Sequence, residues 1–199
     1  MDINQLWDFD DPAASEKRFR DLPPSGEVQT QIARALGLQG KFDEAHQTLD
    51  AVVRDSPLVE IRYLLERGRV SNSSGHPDKA RPLFLAAWEQ AQAAGLDFFA
   101  VDAAHMLGIL DGLEWHGKAI AFAENSSDPK AQGWMGSLLN NLGWTYYDRG
   151  DYAKALETFE RDLAWFIERK LDKRAEIARE AITDCRHRLA QEQPRDQRK

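Results

Sequence analysis

"NNLGWTYYDRGDYAKALETF", Asn140 to Phe159, is the stretch on which the reading of the fold turns. Leu142-Gly143 is followed by Tyr146, Gly150 marks a break, and Ala155 and Phe159 lie beyond it. Apolar residues recur three and four apart on both sides of Gly150, which predicts two helices joined by a tight turn. Gly143 and Ala155 are small where two helix backbones can approach. Leu142, Tyr146 and Phe159 are the residues to fill the space around that contact. A large residue at Gly143 or Ala155 would overpack the crossing, at a cost of about 1–3 kcal/mol.

Related offsets appear upstream. One set is Ile32-Ala33, Leu36, Gly40, Ala45, Leu49 and Pro57; another is Leu64, Gly68, Gly75, Ala80, Phe84 and Ala87. From Gly40 to Gly75 is 35 residues. A third, "AAHMLGILDGLEWHGKAIAFAE", keeps Leu107-Gly108 and Ala119-Ile120 but has a shorter turn region, so a local irregularity is expected there. With Leu139 added to the last copy, the pattern resembles the tetratricopeptide repeat (TPR) superfamily, in a bacterial-type member, whose unit is a helix–turn–helix of about 34 residues. Leu139 stands where the family often has Trp, and the Pro that often closes the unit is absent. The resemblance covers about residues 26–170. It implies an all-α, right-handed superhelical solenoid of about four helix–turn–helix pairs, with an N-terminal helix and a C-terminal capping helix.

The rest of the chain agrees with helix. Pro12, Pro57, Pro77 and Pro129 each follow Asp, Ser or His, and Pro suits the first helical turn, where its missing N–H would have no partner. Helices are predicted over 12–21, 26–38, 42–54, 58–71, 77–94, 97–109, 112–124, 129–148, 151–169 and 172–190. Pro82 should kink the fifth or delay its start. The expected organisation is an N-terminal segment and helix (1–25), a repeat array (26–170), a capping helix (171–191) and a polar, frayed tail (192–199).

In arrays of the resembled kind the first helix of each pair lines a concave groove. Carried onto this chain, that implies Gln31 and Arg34; Arg62, Glu66 and Arg69; Asp102, His105, Met106 and Ile109; and Asn140, Asn141, Trp144 and Tyr147. The trend is basic early, apolar in the middle, amide and aromatic at the end. It suits a peptide with an acidic part and an apolar anchor. Asn can both donate to and accept from a peptide backbone, and aromatic residues and Arg dominate binding hot spots. Trp144 can equally pack in the core, and the three arginines can be plain solvated surface. A carboxylate clamp for acidic C-terminal tails is not expected, because only Asn141 fits it; Thr30, Arg34, Asp102 and Met106 do not.

Other chemistry finds little purchase. The net charge of −7 argues against broad binding to nucleic acid or an anionic membrane. Cys185 is the sole cysteine, so no intrachain disulfide can form, and it reads as a buried, inert thiol. The start "MDINQLWDFDDP" lacks a signal-peptide pattern, and no apolar run approaches the ~20 residues of a membrane helix, so a cytoplasmic location is expected. The five histidines form no HExxH pair, and no glycine loop precedes Lys-Ser or Lys-Thr. "DFDDP" (Asp8–Pro12) reads as a helix cap, Asp11, beside solvated Asp8 and Asp10, with Trp7 and Phe9 folding the segment onto the first helices. "LWDF" as a docking motif is the alternative.

The expected function is therefore a non-catalytic protein–protein interaction adaptor or scaffold, without cofactor or metal. It would hold a peptide or helix of a protein partner in the groove. The alternatives are a self-associating structural module, such as a homodimer, and a regulatory sensor domain for a small ligand or signalling peptide.

Overall fold

A computed structural model describes residues 3–192, and the predicted polar tail lies almost wholly outside them. Among the described residues every regular element is helical: a 3-10 turn at Ile3–Leu6, then α1 (Pro12–Arg20), α2 (Gly26–Leu38), α3 (Phe42–Asp50), α4 (Pro57–Ser73), α5 (Pro77–Ala93), α6 (Asp97–Asp111), α7 (Leu113–Asn125), α8 (Pro129–Gln132), α9 (Met135–Asp148), α10 (Tyr152–Glu168) and α11 (Asp172–Glu192). The chain divides into two compact units, Met1–Leu110 and Asp111–Lys199.

Helix starts follow the local chemistry. Pro12, Pro57, Pro77 and Pro129 each open a helix. The side chains of Asp11, Ser25, Ser56 and Asp128 accept from backbone N–H groups of the first turn, at 2.9, 3.2, 3.3 and 2.9 Å. Most helix limits fall within two residues of expectation, and the larger departures have local causes. α3 ends at Asp50 rather than 54, because Ser56 is extended to cap α4 and a residue before Pro avoids helical geometry. The span 129–148 is two helices, broken at Gly133-Trp134, where a poor helix former allows a tight turn. α5 runs unbroken through exposed Pro82, at the cost of the one hydrogen bond that its missing N–H would have donated to the carbonyl of Asp78.

In the first unit α2 packs against α1, α3 and α4, and α4 along α5. Phe19, Ile32, Leu36 and Leu49 centre its core, with Trp7 and Tyr63 packed at the edge. In the second unit α10 packs along both α9 and α11. Phe159, Ile182 and Cys185 form one cluster there, and Phe166, Ala175 and Ala178 another.

The repeat is visible in the close approaches. A Cβ on Gly143 would lie 2.5 Å from the Phe159 ring, and one on Gly68 would lie 2.5 Å from the Phe84 ring. The partner stands sixteen residues later in both cases. Ala33 and Leu49, at the same offset in the first copy, are both buried. The irregularity expected in the third copy takes the form of a joint one residue long. Gly112 alone separates α6 from α7, at φ 82°, a left-handed conformation that glycine adopts without strain.

Candidate functional site

The predicted early-repeat residues lie in the first unit and are bound up with one another. Glu66 on α4 is buried and takes Arg69 at 2.6 Å and Arg34 at 3.5 Å. Arg69 also pairs with Asp102 of α6, and Arg62 pairs with Glu27 at 3.0 Å and stacks 4.9 Å from the Phe99 ring centroid. Three arginines thus meet three carboxylates. Burial lowers the pKa of Arg34, and the charge of Arg69 lowers it further. Burial would raise that of Asp102, but the Arg69 and Arg34 charges hold it below the usual carboxylate range. The solvated-surface reading of Arg34, Arg62 and Arg69 is corrected: carboxylates on neighbouring helices draw each guanidinium inward.

The N-terminal segment covers part of this face. Trp7 Nε1 donates to Gln31 Oε1 at 2.9 Å, Trp7 stacks on Phe9, and the Arg34 guanidinium sits 5.5 Å from both ring centroids. Asp8 is held as well as wet: its Oδ1 accepts from the backbone of Asp10 and Asp11. On α6, His105 and Met106 are half-buried and Ile109 is exposed.

The late-repeat residues lie in the second unit. Trp144 and Tyr147 are half-buried and pack edge-on: Trp144 against Phe159 and Tyr147, and Tyr147 against Tyr152. Tyr147 Oη also accepts from Arg188 Nε at 3.1 Å. Trp144 is thus in large part a packing residue. Asn141 is half-buried, and its carbonyl accepts from Thr145.

Asn140 differs from these. It lines a cavity of about 210 Å³ between α9, α10 and α11, together with Gly136, Ser137, Asp162, Phe166, Arg174 and Ile177. Asp162 is 1 % exposed, and neither of its carboxyl oxygens has a hydrogen-bond partner. Burial pushes its pKa up to about 7, against the opposing charge of Arg174. Gly136 stands here because a Cβ would lie 2.5 Å from the Phe166 ring.

Asp162 was not among the expected site residues, yet the repeat itself points to it. Counting nineteen from Gly143 reaches Asp162; counting nineteen from Ala33 and Gly68 reaches Val52 and Ala87, both buried and apolar. An acid replaces a hydrophobe at one repeat position. Elsewhere, among the described residues, no group of His, Cys, Asp and Glu could hold a metal ion, and no helix is long and apolar enough to cross a membrane. Burial raises the Cys185 pKa, which keeps the thiol protonated.

These hairpins define a helical-repeat protein. Tetratricopeptide-repeat family models match residues 29–51 and 136–166. Over those residues the chain carries repeats of the tetratricopeptide type. Such repeats generally mediate protein–protein interaction and are generally not catalytic. A crystal structure of BtubC (BKLC) from P. vanneervenii is similar in fold, with a TM-score of 0.56 and 16% identity, over 100% of this chain and 96% of that one. No match is found among curated proteins.

Proposed function

We propose that the chain is a non-catalytic adaptor or scaffold that binds a peptide or helix of a partner protein on the first-helix face of its last repeat, α9. The observation that carries this reading is the cavity beside Asn140, which α9 lines with an amide and a hydroxyl and α10 with the buried, unpartnered carboxylate of Asp162. The early-repeat arginines have their charge balanced internally, so an acidic peptide segment finds less there than the sequence suggests. The test is affinity capture from source-cell lysate with mass spectrometry, comparing wild type with Asn140→Ala/Asn141→Ala. The double variant leaves the packing aromatics in place, and circular dichroism checks its fold. A partner held by wild type and lost by the variant supports the reading; equal capture moves the site off α9.

Self-association is a second reading, favoured by exposed Ile167, Leu171 and Ile177 in the same unit. Light scattering that gives a strict monomer across micromolar concentrations removes it.

A further inference from the structure

We propose that the Asp162 cavity is a receptor for an aliphatic primary ammonium, the lysine side chain of the bound partner. The lysine source rests on the adaptor reading; the ammonium chemistry rests on the cavity.

Four observations converge. First, Asp162 is buried with both carboxyl oxygens unpartnered, and it lines the cavity. Buried polar groups are nearly always hydrogen-bonded, so an orphaned carboxylate at the wall of an opening marks the place of a missing donor. Second, the position is apolar in the first two copies, Val52 and Ala87. The packing therefore does not require an acid there. Third, the neutral polar groups around it can accept: Asn140 through its amide oxygen and Ser137 through its hydroxyl. An ammonium has three donors, and the cavity presents three side chains to receive them. Fourth, Phe166 and Ile177 supply apolar walls, and Ile177 is exposed. A four-carbon stem can lie along them while its charged tip goes inward. The fit favours ammonium over guanidinium, because a compact charge on a flexible stem reaches a recessed acid more readily than a planar fork. Arg174 is the other charged residue lining the cavity; it is exposed and makes no hydrogen bond to Asp162, and α9 presents only neutral groups.

The pH dependence follows in sign. Asp162 must be ionised to bind a cation, and burial holds its pKa near 7. Binding is therefore strongest above neutrality and weakens as pH falls below 7.

The experiment uses the full chain labelled for NMR, following the Asn140 side-chain amide and the Ile177 methyl groups. The probes are n-butylammonium, the tripeptide acetyl-Gly-Lys-Gly-amide, and its norleucine counterpart. Saturable shifts are expected with both ammonium probes at pH 8, weaker by at least fivefold at pH 5.5. They should be absent with norleucine and absent in Asp162→Ala and Asp162→Asn. The alanine variant reproduces the residue of the second copy, so it should fold; the asparagine variant keeps the shape if it does not. Response to the tripeptide alone assigns the site to a peptide-borne lysine, and response to butylammonium alone to a free amine. Equal shifts with norleucine, shifts retained in Asp162→Ala, or no shift with any probe overturns the proposal. A lysate partner lost by Asn140→Ala/Asn141→Ala but kept by Asp162→Ala leaves the adaptor standing and sinks the ammonium receptor. Ammonium binding without any partner does the reverse.

Discussion

Asp162 is the residue at which stability and binding pull apart. Its folded pKa, near 7, lies above the ordinary carboxylate value of 3.8. The folded state therefore holds a proton that the unfolded chain has released between those two values, and stability falls as pH rises through that window. Asp162→Ala removes this, and is expected to stabilise by about 1–3 kcal/mol at pH 8, with the gain shrinking towards pH 5; urea melts at both pH values check it. His116 is buried in the same unit, and its pKa is lowered by that burial and by Arg149. Its contribution runs the other way, lost as pH falls below about 6.5, but it cancels in the comparison of variant with wild type. Glu66 is the opposite kind of acid, its Oε1 shared by Arg69 and Arg34. Glu66→Gln leaves Arg34 without its carboxylate and Arg69 with Asp102 alone, in a buried setting, and should cost about 3–5 kcal/mol. Equilibrium denaturation measures it, and a loss under about 1 kcal/mol would show the pairs to be well solvated.

At the scale of the element, the hairpin is set by one contact, and that contact was legible. Gly143 and Phe159 stand in the opening stretch at an offset that recurs as Gly68 and Phe84, and both pairs meet. Gly143→Val is expected to cost about 1–3 kcal/mol by forcing the Phe159 ring aside, read from the urea midpoint at constant slope. Most helix limits were legible too, because Pro and Ser or Asp mark them chemically. What was not legible had physical reasons. The break at Gly133-Trp134 has no proline and sits within an apolar pattern that suits continuous helix. The arginines read as basic surface because most of their pairings, Arg34 with Glu66, Arg62 with Glu27 and Arg69 with Asp102, cross between helices; only Arg69 and Glu66 stand three apart on one helix. Asp162 reads as one more polar residue on an amphipathic helix until the copies are aligned beyond Phe159.

For the whole molecule, repeat architecture makes stability local. In repeat architectures each unit depends mainly on its nearest neighbours, and opening need not be global. Gly68→Val and Gly143→Val lie in different compact units. Hydrogen exchange with mass spectrometry should show faster exchange within residues 3–110 for the first variant and within 111–192 for the second. Uniform acceleration across the chain by either variant would show a single cooperative unit instead.

Cys185 gives the last repeat a clock of its own. It is the chain's single thiol, buried against Phe159 and Ile182 in the cluster that closes α10 on α11. An alkylating reagent reaches it only when that closure opens. The rate at which one mass increment appears is thus the opening rate or the opening equilibrium of one hairpin, without mutation or label. A ligand seated against α9, α10 and α11 would slow the clock in proportion to its occupancy, so that any compound offered to the protein can be scored by a stopwatch and a mass spectrum.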